Sequence, residues 1–576
     1  MSNLKIPRPE HPEPQLEREA WLNLNGEWAF EMDFGCSGRE RGLHQAESLA
    51  NTICVPFCPE SRLSGIAYTD FMPAVWYTRT VELPADWQES GRVLLHFGAV
   101  DYAAEVWING ESVGTHRGGY SPFVLDVTKR LKAGENRITV CAEDDVRSGA
   151  QPAGKQSIRY HSYGCSYTRT TGIWQTVWME HVPDTYIHAL RVTPDVLNEC
   201  AHVTVLMNGA AAEATTVTVT ASYEGVEKAS ATVHAHWRTA ELTLSLPKPE
   251  LWEPGCGRLY DLSVSLSSGD SVKSYFGMRD VDLDGKAIRI NGKIVFQRLI
   301  LDQGFNPEGI YTAPCEEELR ADIERSMAMG FNGARLHERV FEPRYLYWAD
   351  RLGYLCWDEH ANWMLDISKE AALLRFLPEW EEVMERDYNH PSIIGWCPLN
   401  ETQDDQNDDF IRAVYHTTRR IDATRPIIDT SGWNHVITDI FDVHNYTQDP
   451  EKFAATHAVV LEGRCPDVDG KTTKRAWNSE IPYFVSEFGG ARWSDQTDGW
   501  GYGNGPKTVE EFIARYDSLV TALLDNPAVC AFCYTQLTDV EQEQNGLYTY
   551  DRRPKFDPAA IRACTAKPAA IERENN

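Results

Sequence analysis

The chain has 576 residues, 42% of them hydrophobic, which is too long for one ordinary domain and too apolar for disorder, so two to four folded domains are expected. Lys and Arg number 55 against 85 Asp and Glu, and the net charge of −30 repels phosphate backbones and anionic lipid surfaces, which argues against nucleic acid and membranes as partners. MSNLKIPRPEHPEPQ lacks the apolar centre of a signal peptide, and no stretch reaches the roughly 18 apolar residues of a membrane span, so a cytoplasmic protein is expected.

Residues 1–182 alternate short β-type runs, RVLLHFGAV, YAAEVWING, NRITVCAED and GIWQTVWMEHV, with Gly and Pro turns, the pattern of a jelly roll or sandwich. Residues 183–276 carry a second all-β stretch, with HVTVLMNG, TTVTVTASY, AELTLSLP and LYDLSVSLSSG at the spacing of an immunoglobulin-like sandwich. From 277 to 576 apolar strands alternate with helical stretches such as EEELRADIERSMAMG and FEPRYLYWADRLG. Eight candidate strands, IVFQRLIL, GFNGARLH, YLCWDE, IIGWCPL, PIIDTSG, DIFDVHNY, YFVSE and VCAFCYT, match a (β/α)₈ barrel.

The 14 cysteines are scattered, which favours reduced thiols over a disulfide framework. The single CxxC, Cys530 to Cys533, lies in a strand-like run where residues three apart face opposite ways, against a metal or redox role. No HExxH, P-loop or strand-linked GxGxxG is present, so zinc, nucleotide and dinucleotide cofactors are not expected.

A barrel of this kind places its active site where the strands end, so the polar residues at those points carry the chemistry. They are Asp302 and Gln303, Arg335 and His337, Asp358 and Glu359, Asn400 and Glu401, His444 and Tyr446, Glu487, then Tyr534 and Gln536. Glu401 and Glu487 face each other across the mouth in this reading, and paired carboxylates flanking a pocket are the machinery of glycosidic bond cleavage. Gly489 and Gly490 after Glu487 suit a tight turn, and Asn400 supplies an amide for a sugar hydroxyl. The segment 489–508 is Gly-rich and aromatic, and Trp493, Trp500 and Tyr502 are placed either to stack on sugar faces or to make a loop or subunit contact.

RDYNHPSIIGWCPLNE and FVSEFG resemble the two signatures of glycoside hydrolase family 2, the β-galactosidases, β-glucuronidases and β-mannosidases, and DYAAEVWINGESVGTHRGGYSPF, TGIWQTVW and INGKIVFQR extend the resemblance over nearly the whole chain. The resemblance implies a jelly-roll domain, an immunoglobulin-like domain and a catalytic barrel. It also implies hydrolysis with retention of configuration, Glu401 serving as acid and then base and Glu487 as nucleophile, the two carboxyls roughly 5–5.5 Å apart. Ionised Glu487 beside it would keep Glu401 protonated for the first step. His337, His444 and Tyr446 match places where the family contacts the sugar or orients the nucleophile. Asp302 and Gln303 stand where many members have a His-Glu pair, a departure that points to no required metal.

The family's glucuronidases hold the substrate carboxylate with an Asn-x-Lys motif; here, in EQEQNGLYTYDRRPK, Glu543 and Asn545 occupy those places. A galacto-configured sugar, galactoside or galacturonide, is therefore expected, with a glucuronide held by another clamp as the alternative. Arg339 offers a planar cation for such a carboxylate, unless it pairs with Glu338 or Glu342. A carbohydrate-binding protein without catalysis is the reading from a different class. A small glycoside or oligosaccharide is the expected ligand, and family members often assemble through their β domains, so a homo-oligomer is open.

Overall fold

A computed structural model describes residues 6–209, 215–468, 470, 475–494 and 499–575. In the first domain a six-stranded antiparallel sheet, from Gly26–Met32 to Glu135–Glu143, faces a four-stranded sheet built on Arg92–Phe97 and Val177–Val182. Trp28, Phe30, Tyr77, Leu95, Val106 and Val140 fill the space between, buried because alternate residues of each strand point inward.

The second domain sets a three-stranded sheet (Tyr186–Asp195, Cys200–Asn208, Thr239–Ser245) against a four-stranded one running from Val226–His234 to Ser271–Phe276. The strand Thr216–Tyr223, TVTVTASY, buries its two Val and its Ala and leaves most of its polar residues half-exposed, the alternation expected of a sheet wetted on one face.

The third domain is the barrel. Seven parallel strands form one continuous sheet, in the spatial order Ile393–Cys397, Leu355–Glu359, Gly333–Leu336, Gln297–Asp302, Val529–Thr535, Tyr483–Gly489, Phe441–Asn445. They are buried along their whole length, which explains why they read as apolar runs rather than alternating ones. PIIDTSG, expected as a further strand, joins only through isolated parallel bridges, Trp396 to Ile427 and Asn400 to Ser431. The cause is Asp429. Its carboxylate accepts the backbone N–H groups of Thr430, Val436 and Ile437 and faces His435 Nδ1, drawing the chain into a turn instead of a strand and helix.

The first domain and the barrel share one core. Cys58, Tyr120, Tyr167 and Trp174 lie in the same apolar cluster as Phe305, Tyr311 and the barrel strands. All 14 cysteines are free, and Cys530 and Cys533 are buried in the last barrel strand, where burial pushes both thiols up. Among the described residues no helix is long and apolar enough to cross a membrane.

Candidate active site

Glu487 ends the strand Tyr483–Gly489, buried, with both carboxylate oxygens held. Oε1 accepts from Arg335 Nη1 at 3.2 Å, and Oε2 accepts from the Tyr446 hydroxyl. Arg335 is fixed in turn: Nε donates to Glu359 Oε1 at 2.6 Å, Nη1 to the Ser486 carbonyl at 2.8 Å and Nη2 to Asn400 Oδ1 at 3.3 Å. His337 stands between Glu359 (Nδ1 to Oε2, 3.0 Å) and Glu487 (Nε2 to Oε1, 3.8 Å). Burial alone would raise the Glu487 carboxyl, but His444, His337, Arg335 and Lys155 pull it down to about 2. Burial, reinforced by Lys155 and Arg335, holds His337 well below the usual imidazole range, and Glu338, buried beside Glu359, is pushed well up.

Glu401 follows the strand Ile393–Cys397 in the left-handed backbone region (φ 50°), where a non-glycine residue is strained. Its N–H donates to the Ser431 carbonyl at 2.8 Å, so the irregular PIIDTSG stretch is what pins it. His444 Nδ1 lies 2.7 Å from Glu401 Oε1 and 3.3 Å from Glu487 Oε2, while Nε2 lies 3.0 Å from Ser431 Oγ, which donates to Asp442. The facing oxygens of Glu401 and Glu487 and this nitrogen all lie within 4.8 Å of one another. Outside the acids, Asn362, Trp363, Asn400, Glu401, Gln403 and Trp433 line an open cleft of about 360 Å³. Among the described residues the buried Asn400 Nδ2 has no hydrogen-bond partner, which leaves it a donor at the cleft's edge.

The far wall of the site comes partly from the first domain. The Tyr167 hydroxyl donates to Glu543 Oε2 and receives Gln303 Nε2 at 3.0 Å; Gln303 also donates to Gln536, Gln536 to Asn545 at 2.7 Å, and Asn545 to Glu543 Oε1 at 3.0 Å. Lys155 from the same domain is 6% exposed, with its ammonium 5.4 Å from the Trp363 ring centre. Neither Tyr167 nor Lys155 was legible in the sequence, because both sit far from the barrel in a segment whose texture is that of a β-sandwich turn.

Of the expected site residues, Arg335, His337, Asn400, Glu401, His444, Tyr446 and Glu487 come together. Five do not. Asp302 points outward: it accepts the Gly304 N–H and the Tyr345 hydroxyl, and burial raises its carboxyl to about 6. Tyr534 also points outward, onto Tyr516 of the helix Val509–Leu524, while its neighbour Thr535 meets Tyr446 at 3.1 Å. Arg339 is buried and donates to the carbonyls of Gly304 and Tyr311, below Trp174 and Phe341. It therefore neither reaches the mouth nor pairs with Glu342, which Arg8 takes, or with Glu338, which accepts the Trp363 N–H. Trp493 packs against Phe512 and Phe556, and Trp500 donates to the Gly164 carbonyl at 2.6 Å, so both serve to hold the loop. Tyr502 stacks on Tyr446 at 3.4 Å, and of the 489–508 segment residues 495–498 lie outside the described residues.

Among the described residues, two sets of side chains have the spacing to hold a metal: Glu401, His444 and Glu487, and, on the second domain, Asp195, Cys200 and His202. In the first set Glu401 and His444 hydrogen-bond each other and Glu487 is held by Tyr446 and Arg335, which accounts for the arrangement without an ion.

Comparison with known proteins covers nearly the whole chain. Residues 22–183 match the model of the family 2 glycosyl hydrolase sugar-binding domain, 185–279 the central family 2 domain and 282–563 the family 2 TIM barrel domain. A β-glucuronidase of Paenibacillus borealis is 25% identical over 96% of this chain and 98% of the relative. A β-galactosidase of Thermoanaerobacter pseudethanolicus is 27% identical over 62% of this chain, the match spanning about half (48%) of that longer protein. Among solved structures, a β-glucuronidase of Lactobacillus rhamnosus superposes with a TM-score of 0.80 at 18% identity, covering 96% of this chain and 98% of that one. With three consecutive domains matched to one family, in order and around a mouth lined by two carboxylates, the chain belongs to glycoside hydrolase family 2 and is a β-glycosidase.

Proposed function

We propose that the chain is a retaining exo-β-glycosidase in which Glu487 is the nucleophile and Glu401 the acid and then the base. The observation that carries this is the short separation of the two carboxylates, with oxygens within 4.8 Å. Retention needs roughly 5–5.5 Å between the carboxyls, whereas inversion needs room for a water between them, roughly 6.5–9.5 Å. Glu487 attacks C1 as the glycosidic oxygen leaves with the Glu401 proton. Water then gives a proton to Glu401 and its oxygen to C1, which frees Glu487. The wall of Tyr167, Glu543 and Gln303 behind the acids supports a pocket for a terminal sugar rather than a through-going groove.

For the sugar, Glu543 and Asn545 in the places of the Asn-x-Lys clamp support a galacto-configured residue, galactoside or galacturonide. The near full-length relative called a β-glucuronidase favours a glucuronide as the second reading. Proton NMR during hydrolysis of a p-nitrophenyl β-glycoside tests the mechanism: the β-hemiacetal appears first, and Glu487→Gln lowers kcat by at least about 10⁴-fold. An α-hemiacetal as first product would overturn the reading. Initial rates on the galactoside, galacturonide, glucuronide and glucoside decide the sugar.

A further inference from the structure

The mouth of the barrel needs a cation if it takes an acidic sugar, and the two guanidiniums nearest in sequence are committed elsewhere. Arg335 is bound to Glu359, Glu487, Asn400 and a carbonyl, and Arg339 to two carbonyls outside the site. Lys155 differs from both. More than nine-tenths buried, it makes no ion pair within 4 Å and no side-chain hydrogen bond among the described residues. A buried ammonium without a partner costs several kcal/mol unless something else completes it. Burial pulls the ammonium toward its neutral form, and Cys165, then Glu543 and Glu487, pull it back above its usual value.

Its position is built rather than incidental. The turn 151–156 of the first domain is bonded onto the segment after the barrel strand Leu355–Glu359: the Ala153 N–H donates to the Trp363 carbonyl at 2.9 Å and the Gly154 N–H to the Ala361 carbonyl at 3.1 Å. Gly154 has φ +55°, and a Cβ there would stand 2.4 Å from the Glu338 carbonyl, so only glycine lets the turn come this close. The Lys155 carbonyl accepts the Tyr167 N–H at 2.7 Å, which couples it to the Tyr167–Glu543 wall. The ammonium thus lies over a tryptophan that lines the cleft beside Glu401, where it feels the charges of Glu543 and Glu487.

We propose that Lys155, carried by the first β domain, binds the carboxylate of a β-D-hexuronide in the sugar pocket and so determines the substrate class. This rests on the retaining-glycosidase reading above. The sugar carboxylate supplies the missing ion-pair partner, and the C1 end of the same ring then lies toward Glu487. A charge-assisted hydrogen bond of this kind contributes on the order of 1.5–3 kcal/mol, or about 10–150-fold in affinity.

The test uses the full chain with Lys155→Met and Lys155→Arg, assayed on the p-nitrophenyl β-D-galacturonide, glucuronide, galactoside and glucoside. The wild type is expected to prefer a uronide. Lys155→Met should lower the ratio of kcat/KM for that uronide over its neutral counterpart by at least about 30-fold, and Lys155→Arg should recover part of it. Equal losses on uronide and neutral sugar, or a wild type that cleaves the galactoside and neither uronide, would overturn the assignment while leaving the glycosidase intact. Calorimetric titration of Glu487→Gln with free galacturonate, glucuronate and galactose reads the same preference without turnover. Silence of the folded wild type on all four substrates would sink the glycosidase reading, and tighter binding of galactose than of either uronate would sink the role of Lys155.

Discussion

Glu487 is gripped from two sides, one oxygen by Arg335 and the other by Tyr446, so its carboxylate plane is set before substrate arrives. Its carboxyl is pulled down from its usual 4.5 to about 2, so the folded protein keeps this charge until pH falls through about 2. We expect kcat/KM on the best neutral p-nitrophenyl glycoside not to fall as pH is lowered from 7 to about 4. A fall centred near pH 5 in the pH–rate profile would mean that His444, His337, Arg335 and Lys155 do not hold Glu487 charged. At this scale the sequence showed the acids and their neighbours plainly, since Asn400–Glu401 and Ser486–Glu487 each interrupt an apolar run. Arg339 stands one turn past the strand, where a guanidinium caps nearby carbonyls, and Lys155 enters from a segment that nothing local ties to the barrel.

Among the elements, the strand ends follow a rule that sequence reading applied one residue off. Inward and outward positions alternate, so Gln303 and Thr535 face the site while Asp302 and Tyr534 face the helix layer. At Asp302–Gln303 the two polar residues that close the run left the parity open, although at Asn400–Glu401 both residues of such a pair reach the site. PIIDTSG shows a second limit, since its apolar run reads as a strand until the Asp429 carboxylate captures three backbone N–H groups. The turn 151–156 is the element that the proposed role of Lys155 depends on. Gly154→Ala adds a Cβ 2.4 Å from the Glu338 carbonyl at a left-handed position and should lower stability by about 1–3 kcal/mol. It should also reduce the uronide-to-neutral ratio at least about tenfold, by displacing Lys155. Thermal melts and the same four-substrate assay check both effects, and an unchanged ratio in a destabilised variant would separate the turn from specificity.

The whole molecule is three matched domains, but its core is not divided that way, because Tyr120, Tyr167 and Trp174 of the first domain are packed into the barrel's own cluster. The order of domains was legible from texture alone; the merging of their cores was not, since it depends on long-range partners. Glu60 lies on that side of the first domain, accepting the Thr171 N–H near Asp144, and burial raises its carboxyl from 4.5 to about 8. A folded-state value above the unfolded one means that its contribution to stability is full below 4.5 and is lost as pH rises through about 8. Glu60→Gln should therefore flatten the fall in melting temperature between pH 6 and 9 and leave the variant about 2–4 °C above wild type at pH 9. Parallel slopes for the two proteins in calorimetry would refute this.

The docking of the turn at 153 and 154 onto 361 and 363 carries one more consequence. Lys155 and Glu487 belong to units far apart along the chain, yet Tyr120, Tyr167 and Trp174 of the first domain are part of the barrel's own core, so neither wall of the pocket is complete until the two domains have docked. During refolding, glycoside cleavage and sugar preference should therefore return together, at one rate that chromogenic sugars alone can read.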